Sequence, residues 1–534
     1  MAKPLSYQPL TDFGVNGLNT QDNPATLDQS YLTSANNVVL RESGRISFRK
    51  GFKQKVVPTG TAIGSMIEHF DQSVTNGVNK IFASHGTSIY RIDFTAPNAA
   101  FPSSGADVKH TVANSTGNWQ FVNFNSRLHC FHAGVVPQRY DGSLSSGSRW
   151  TAHATDPASI STLFDPSCGM GFYGRIWCGG VAEAKDVVYY SNLLDGDDWT
   201  GGDTGLIDLK KVWGDDEVVA LAPFYGKLVI FGKENIAIYN SPQTVSSLAL
   251  DEVIRGVGCI ARDSVQAIGD DLVFLSTTGL RSLARTTEKD KLPLTDLTVN
   301  IKDTIIRNIG QSTNVKSVYV ENEGIYIMTF TDKNITYIFD FKHITPQAAP
   351  RITTWSFESD REPSTMIYTE LYSGLLVGQK DGGIAGYEGY FDTDLAWVSS
   401  AASYTNSAFT ADISSIWIRV GDLAASILKK MILVLEGGSG ASLGLRWYKD
   451  FSMNSSSTTQ ISLAPATTGT TALWGASTSL WGDVKYTPIY GLEEYKTALT
   501  GSAKHLKLNM SIVSNGYDVS VQDLAIISKQ GKIR

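Results

Sequence analysis

The chain has 534 residues, more than the roughly 250–300 at which one hydrophobic core usually stops growing, so two or three units or one large repeat architecture are expected. Hydrophobic residues make up 42% of the chain, which excludes disorder as its main state. The formal net charge of −7 argues against a protein that grips nucleic acid through Lys and Arg, although DNA that passes nearby without being bound is not excluded.

Residues 1–61 lack the repeat that follows them and are predicted to form an extended arm. Within the arm, the run 34–40 (SANNVVL) is typical of a strand and the run 41–44 (RESG) of a turn. Such an edge strand often pairs with a neighbouring element or a neighbouring subunit. The chain begins without an apolar leader, and its most apolar late stretch, 427–438, is too short to span a membrane. We therefore expect a protein that is made in the cytoplasm and has no membrane span.

One pattern recurs through the middle of the chain. An alternating apolar stretch is followed by a turn, a run of four or five apolar residues, a second turn and a short strand that ends in an aromatic residue. The apolar residue after each central turn marks seven units, spaced 44 to 53 residues apart: Ile81, Leu128, Ile176, Leu228, Leu272, Ile325 and Leu375. A unit of about 40–50 residues with four short strands is typical of a β-propeller blade. We therefore predict an all-β chain in which residues 62–394 form a β-propeller of about seven blades. The alternatives are six or eight blades, or two β-sandwiches with regular hairpins.

Residues 395–534 are predicted to form a second unit, a distal β-sandwich-like domain. Five runs alternate or are continuously apolar, as strands are: 414–420, 429–437, 442–450, 504–515 and 517–529. Between them, residues 452–486 are rich in Ser, Thr and Gly and contain Leu-Trp-Gly twice, with Trp474 and Trp481. Two exposed Trp side chains in a long loop would be interface anchors. The equal alternative is that they pin the loop to its own domain.

No catalytic motif is found in the sequence, which has no P-loop, no GxSxG turn and no HExxH pair. The four cysteines form no CxxC pair and are expected to be buried thiols: Cys130, Cys168, Cys178 and Cys259. His129 and His132 in the run HCFH would point to opposite faces of a strand, so they could share a metal ion only across a bulge. We therefore predict no enzyme and no catalytic, cofactor-binding or metal-binding residues.

Four short charged runs are predicted to be solvated turn or edge residues. They are Asp197–Asp198, Asp215–Asp216–Glu217, Asp270–Asp271 and Lys429–Lys430. A glycosidase would need two carboxylates that converge across a cleft, which adjacency along the chain does not show. The run at 189–205 also fails to match the Asp box of sialidases, and we expect it to be an acidic turn before a packed Trp199.

Short motifs at both ends and in one blade carry a family resemblance. The arm has Gly-Leu-Asn at 17–19, Ala-Asn-Asn at 35–37, Gly-Arg at 44–45 and Arg-Lys-Gly at 49–51, and a strand with its acidic turn reads VVYYSNLLDGDDW at 187–199. With the late pair of Trp-Gly dipeptides, these features resemble the tail nozzle proteins of short-tailed bacteriophages. That family is also called tail tubular protein B or packaged-DNA stabilisation protein. The similarity of layout covers the whole chain as arm, propeller and distal β domain.

The resemblance implies a structural protein of the virion tail. Nozzle subunits assemble as a homohexameric tube below the portal and the adaptor ring, retain packaged double-stranded DNA, conduct it during ejection and provide attachment for tail fibres or spikes. The absence of a catalytic motif and the acidic charge agree with a conduit, because a lumen that repels phosphate lets DNA slide.

Two other functional classes stay open. The first is a receptor- or glycan-binding propeller of a phage tail, for which 11 Trp and 22 Tyr could line sugar sites. The equivalent turns, at Asn125, Tyr225 and Asp270, vary from blade to blade, which argues against that interpretation. The second is a glycosidase or lyase with a propeller core, whose active-site residues would be scattered along the chain.

Overall fold

A computed structural model describes most of the chain and gives it an almost purely β architecture. The described residues are 5–41, 45–74, 77–94, 101, 105, 107–284, 296–310, 314–372, 374–388, 396–398, 403–405, 409–421, 424–437, 441–456, 458–463, 492–513 and 518–531. Short helical segments interrupt the strands: α1 (Lys210–Trp213), α2 (Lys302–Ile309) and 3-10 turns at Val245–Ser247, Arg262–Ser264 and Val299–Ile301. Among the described residues, no helix has the length and apolar character needed to cross a membrane.

The predicted arm is divided among three sheets of its own chain. Its strands are β1 (Leu5–Pro9), β2 (Gly17–Leu18), β3 (Tyr31–Asn36), β4 (Val38–Leu40), β5 (Ile46–Phe48) and β6 (Phe52–Val56). The strand predicted at 34–40 is present as the end of β3 and all of β4, broken at Asn37, which has a positive φ of 56°. Pairing therefore occurs within the chain, as the following sheets show.

Six small antiparallel sheets form the blades of a β-propeller, which confirms the predicted fold. The first two blades have four strands each: β7 (Ile63–Asp71), β8 (Val78–His85), β9 (Ser88–Ile92) and β10 (Lys109–Thr111) in the first, and β11 (Gln120–Phe124), β12 (Arg127–His132), β13 (Val135–Tyr140) and β14 (Trp150–Ala152) in the second. The third blade contains β15 (Cys168–Phe172), β16 (Arg175–Val181), β17 (Ala184–Tyr190) and β18 (Gly205–Asp208). The fourth contains β19 (Val218–Phe224), β20 (Lys227–Gly232), β21 (Asn235–Asn240) and β22 (Ala249–Arg255). The fifth has three strands: β23 (Gln266–Ile268), β24 (Asp271–Ser276) and β25 (Gly279–Ser282).

The unit after the fifth sheet is not a separate small sheet. Its strands are β26 (Val315–Val320), β27 (Ile325–Phe330), β28 (Ile335–Ile344) and β29 (Pro350–Trp355). They form one end of an eleven-stranded sheet that continues through β2 and β3. In the ring, β26 contacts β23 on one side and the first strand of the last blade on the other. The prediction of about seven blades counted this unit as a blade. The structure has six small, separate sheets in the ring, and this unit is instead part of the larger sheet.

The ring is closed by a strand from the start of the chain. The last small sheet contains β30 (Pro363–Thr369), β31 (Gly374–Gln379) and β32 (Ile384–Tyr387), and its fourth strand is β6, which pairs with β32. The innermost strand β30 also contacts β7 of the first blade. The first and last parts of the propeller are therefore joined by backbone hydrogen bonds, and the outer edge of the last blade is covered.

The repeat predicted from the sequence is visible in both turns and core. Tight inner hairpin turns place two residues at positive φ, as at Tyr173 (47°) and Gly174 (71°) and at Tyr225 (47°) and Gly226 (75°). These values are typical of two-residue hairpin turns whose twist matches that of the strands.

All seven apolar marker residues are at most 2% exposed. Each buried Leu or Ile side chain contributes roughly 1.5–3 kcal/mol to folding. They pack in clusters between neighbouring blades.

A β-sandwich-like unit follows the propeller, and the arm strands β1, β3, β4 and β5 take part in its sheets. After the hairpin β33 (Ala396–Val398) and β34 (Ser403–Thr405), its strands are β35 (Thr410–Ser415), β36 (Ile418–Arg419), β37 (Ser426–Gly437), β38 (Ala441–Lys449), β39 (Thr459–Leu463), β40 (Leu492–Ala498), β41 (Ser502–Ala503), β42 (His505–Val513) and β43 (Val519–Gln530). One sheet has the order β4-β5-β43-β37-β40, with β1 beside β43 and β41 beside β37. The other is the far part of the eleven-stranded sheet, in the order β3-β35-β42-β38-β39.

The core of the sandwich lies between these two sheets. The strand β42 alternates strictly between buried and half-buried positions, which is the pattern of a strand with one face in a core. Its buried side chains form one cluster with those of β37, β38 and β43, including Met431, Leu433, Leu445 and Leu524. The loop residues Trp474 and Trp481 lie outside the described part of the chain, so both interpretations of them stay predictions.

Candidate functional site

The central channel of a propeller is the natural place to look for a ligand site. Here the channel is crossed by an axial network, which we define as Asn118, Ser167, Arg262, Asp263 and Lys316. Asn118 and Ser167 precede the inner strands β11 and β15, the 3-10 turn that precedes β23 supplies Arg262 and Asp263, and Lys316 lies in β26. The network therefore joins positions that are far apart around the ring.

Hydrogen bonds and ion pairs hold the axial network together. Arg262 donates to the carbonyl of Ser167 (2.6 Å), to Oδ1 of Asn118 (3.0 Å) and twice to the carboxylate of Asp263 (2.8 and 3.0 Å). Lys316 donates from Nζ to Oδ1 of Asn118 and to Oδ2 of Asp263, both at 2.6 Å. Two cations thus share one carboxylate and one amide oxygen at the centre of the ring.

The electrostatics of the axial network follow from its burial. Burial alone would raise the pKa of Asp263, but Arg262 and Lys316 hold that pKa well below its ordinary value. Burial lowers the pKa of Lys316, and the nearby Asp263 opposes that shift. The carboxylate is therefore ionised in the folded protein, and removing its charge would leave two cations facing each other in a poorly solvated place.

The axial network separates two cavities. A wider cavity of about 620 Å³ lies at the mouth, where the inner strands begin, and is lined by residues such as Ile63, Val218, Val315, Lys233 and Lys380. A smaller cavity of about 200 Å³ lies one to two residues further along the same strands. At the mouth, Lys233 pairs with Glu217 and Lys380 donates to Asn334 Oδ1 at 2.9 Å. The channel is therefore blocked by ion pairs rather than open from end to end.

A second cluster, between two blades, has the composition of a metal site. Nδ1 of His129 and Nε2 of His153 are 3.0 Å apart. Oδ1 of Asp197 lies 3.6 Å from the first of these nitrogens and 3.5 Å from the second. All three residues are buried, and the other carboxylate oxygen of Asp197 accepts from Arg139. Three such ligand atoms could surround one ion.

The positions of the protons in this cluster disfavour the binding of a metal ion. Nε1 of Trp199 is a donor only, and it lies 3.1 Å from Nδ1 of His153. Nδ1 of His153 must then accept, so in the neutral ring the proton sits on Nε2 and is donated to Nδ1 of His129. Burial lowers the pKa of His129 to about 3 and that of His153 well below its ordinary value, and Arg139 adds to both shifts. The cluster therefore fits a neutral hydrogen-bonded core, and a metal would need Trp199 to turn away.

The structure separates the two histidines of the HCFH run. The pairing of β12 with β13 is irregular between Cys130 and His132, yet the two histidines have different partners. His129 faces His153, whereas Nε2 of His132 accepts from the backbone N–H of Thr116 at 3.0 Å. They share no ligand position. The four cysteines are buried free thiols, as predicted.

The charged runs are only partly the solvated turns that the sequence suggested. The prediction is wrong for Asp197, which is 6% exposed and paired with arginine. Asp216 accepts from the backbone N–H groups of Lys233, Glu234 and Asn235 at 2.9–3.0 Å and so organises a turn, whereas Asp215 is 96% exposed.

The other two runs also differ from one another. Asp270 is exposed, and Asp271 accepts from the backbone N–H of Ala284 at 2.9 Å. Lys429 and Lys430 are exposed, but they lie in β37, which is paired on both sides and is not an edge strand. Trp199 is packed, with 3% exposure, as predicted for the end of the acidic turn.

The junction between propeller and sandwich contains residues that carry the family resemblance. Arg49 is 1% exposed. It donates to Oδ1 of Asn37 (3.0 Å) and to the carbonyls of Lys50 (3.0 Å) and Ser356 (3.2 Å), and its guanidinium lies 4.1 Å from the ring centre of Phe409. Asn37 also donates to the carbonyl of Thr410 (2.9 Å). These two residues therefore tie the last blade, the eleven-stranded sheet and the sandwich together.

A glycine at the same junction allows close approach of two strands. Gly17 has a φ of 74°, and a Cβ there would lie 2.7 Å from the carbonyl oxygen of Ile352 in β29. Any side chain would push β2 away from the propeller strand that it joins. The motif positions 17, 37 and 49 are thus explained by packing at one junction.

Comparison with known proteins gave no independent identification. A scan against protein-family models and a search of curated proteins both found no match for this chain.

Proposed function

We propose that the chain is a structural subunit of a bacteriophage tail nozzle. Six copies would form a tube below the portal and the adaptor ring, retain packaged DNA and conduct it during ejection. One observation carries the proposal: the propeller and the sandwich share a continuous eleven-stranded sheet and the buried Arg49–Asn37 junction. Under this proposal, the shared sheet and the junction hold the two units together as one block in the wall of a tube.

The blocked propeller axis supports a path for DNA that lies between subunits. The axial network and the two small cavities leave no room for a duplex inside one propeller. Several copies around a common axis are then needed to form a conduit. Under this proposal the propeller is a wall element, and loops that face the shared axis retain DNA sterically.

The charge distribution agrees with a lumen that does not bind DNA. Residues 62–394 contain 26 Lys and Arg against 39 Asp and Glu, a net charge of −13, whereas the remaining residues contain 19 against 13, a net charge of +6. An acidic wall repels phosphate and releases no counterions on contact with DNA. We expect tail fibres or spikes to attach to the outer surface of the assembled particle in the virion.

A receptor- or glycan-binding propeller is the alternative function. The mouth cavity of about 620 Å³ favours it, because both polar and apolar side chains line that cavity. Its cations are largely engaged by neighbouring oxygens, as in the Lys233–Glu217 pair. A ligand would therefore have to compete with hydrogen bonds that are already made.

The decisive experiment is the mass of the full chain in solution, alone and with a phage portal–adaptor complex. A sixfold assembly, alone or only on the complex, supports the nozzle. A monomer that ignores the complex and binds glycans on an array supports the alternative. As a second measurement, a nozzle should bind DNA weakly at physiological salt, and tight, salt-sensitive binding would contradict steric retention.

A further inference from the structure

An exposed apolar area lies on the face of the propeller that carries the inner hairpin turns. We define the propeller patch as Tyr173, Leu193, Leu194 and Tyr225, which are 45%, 47%, 62% and 69% exposed. The backbone N–H of Leu194 donates to the carbonyl of Gly174 at 2.7 Å. A methyl group at Gly226 would lie 3.2 Å from Oη of Tyr173. The four side chains therefore come from adjacent turns of two neighbouring blades.

The propeller patch has an acidic border. Asp195 follows Leu194 directly, and its side chain is 51% exposed. Asp203 is 62% exposed and lies beside the turn, since its carbonyl accepts from Nη1 of Arg175 at 2.7 Å. Both carboxylates approach an arginine only at 4.0 Å. Large exposed apolar side chains with a polar rim mark interaction surfaces.

A second apolar area lies at one end of the sandwich. We define the sandwich patch as Trp417, Phe451 and Met453, of which Phe451 is 51% and Met453 93% exposed. The rings of Trp417 and Phe451 are 5.0 Å apart, and Phe451 lies 4.7 Å from the ring of His505. These residues belong to the turn after β38 and to the segments that pack beside it.

The sandwich patch has a basic border. Lys449 precedes the turn, and Lys504 is held beside it because its backbone N–H donates to Oδ1 of Asp450 at 2.7 Å. Within the described part of the chain, neither ammonium group has a carboxylate within 4.0 Å. Asp450 is the one acid of this turn, and its carboxylate accepts backbone N–H groups.

We infer that the propeller patch of one copy binds the sandwich patch of a second copy. Both patches are exposed within a single chain, so neither covers the other. The two patches are complementary in charge, because the propeller patch has an acidic border and the sandwich patch has a basic border. The net charges of −13 for residues 62–394 and +6 for the other residues have the same opposite signs. Two different surfaces of one chain that fit each other make a head-to-tail contact, which generates a ring when the rotation closes.

This inference deepens the proposed function, because it specifies the contact that would join neighbouring subunits of the tube. It also argues against a two-fold dimer through either patch alone, since the borders of the two copies would then carry the same charge. The occupant of the propeller patch is thus a second copy of this chain in a fixed direction around the ring.

Site-directed crosslinking tests the contact directly. The variants Tyr225→Cys and Met453→Cys each place one thiol in one patch, and the four native cysteines are buried. A bis-maleimide reagent should give a two-chain product when the two variants are mixed and none when either is alone. Ile344→Cys, at a position 62% exposed and outside both patches, is the matched control and should give no product with Met453→Cys. A chain with both Tyr225→Cys and Met453→Cys should give a ladder that ends at the closed ring.

Charge reversal gives a second, independent measurement. Asp203→Lys or Lys504→Glu alone should weaken self-association about tenfold. Mixing the two variants should restore it, because every contact between unlike variants again pairs opposite charges. Rings that form without the mixed crosslink overturn the inference and leave the nozzle proposal standing. A mixed crosslink in a protein that forms no sixfold assembly, either alone or on the portal–adaptor complex, supports the contact and contradicts the nozzle. No crosslink and no assembly at any concentration, with or without the complex, overturns both.

Discussion

The buried histidine cluster makes the propeller sensitive to acid. In the folded chain, burial and the nearby Arg139 lower the pKa of His129 from 6.5 to about 3. The unfolded chain therefore binds a proton at this residue below about pH 6.5, and the folded chain does not bind one until about pH 3. The stabilisation that His129 provides is complete above pH 6.5 and is lost progressively as the pH falls from 6.5 towards 3.

The expected loss can be worked out for one histidine. A solution at pH 5 is 1.5 pH units below the ordinary histidine pKa of 6.5. Each pH unit of unequal proton binding between the folded and unfolded chain corresponds to about 1.4 kcal/mol. His129 alone therefore lowers the free energy of unfolding by about 2 kcal/mol at pH 5 relative to pH 7. His153, whose pKa is also lowered, adds to the loss in the same direction.

Denaturant unfolding at pH 7 and pH 5 measures this effect, with the transition of the propeller followed by tryptophan fluorescence. His129→Gln removes the titrating group but keeps an acceptor for the proton on Nε2 of His153. The variant should lose about 2 kcal/mol less than the wild type between the two pH values. His343→Gln, at an exposed position, should behave like the wild type. Equal losses for wild type and His129→Gln would refute a buried, neutral His129.

Three further predictions concern the network, the junction and the loop. Asp263→Asn should lower the free energy of unfolding by about 3 kcal/mol, since it leaves Arg262 and Lys316, whose side chains are only 12% and 15% exposed, without their shared carboxylate; a melting temperature equal to that of the wild type would contradict this. Arg49→Met should cost about 3 kcal/mol, because it removes three hydrogen bonds from a charged donor, and proteolysis should then separate propeller from sandwich more readily. Trp474→Ala with Trp481→Ala should weaken assembly without unfolding the propeller, as judged by the mass and the circular dichroism of the variant; unchanged assembly would make both residues internal packing.

Exposed positions provide the controls for the first two of these variants. Asp215→Asn changes a carboxylate that is 96% exposed, and Lys429→Met removes an exposed cation from a sandwich strand. Surface changes of this kind usually alter the free energy of unfolding by no more than about 0.5 kcal/mol. Each therefore separates the effect of a buried network from that of a simple loss of charge.

Local patterns in the sequence predicted the parts of the fold that depend on near neighbours. The marker residues from Ile81 to Leu375 follow turns of Gly, Asn or Tyr, and each is buried as the repeat required. Strands such as β42 could be predicted because their alternation reflects one buried face. The blade around Ile325 was recognised as a unit, but its continuation into a larger sheet could not be, because that depends on β2 and β29 meeting across more than 300 residues.

The sites were harder to predict for the same physical reason. Asp197 reads as a solvated turn residue in the run DGDD, and only the fold brings Arg139 and two histidines to it. The axial network combines residues that lie between 1 and 198 positions apart in sequence, so no motif spacing could reveal it. A useful signal was still present: the positions quoted for the family resemblance at 37 and 49 prove to be mutual hydrogen-bond partners.

The strand that closes the ring, β6, affects how the protein folds during translation. β6 ends at Val56, whereas its partner β32 ends at Tyr387. At about 5–20 residues per second, the first strand waits roughly 20–70 s before its partner has been synthesised. Meanwhile its backbone groups and Phe52 are available for pairing with other nascent chains. The last blade therefore closes late, and the sandwich closes later still because it needs β43 (Val519–Gln530). A ribosome that stalls before residue 387 leaves an open ring whose free edge is prone to aggregation.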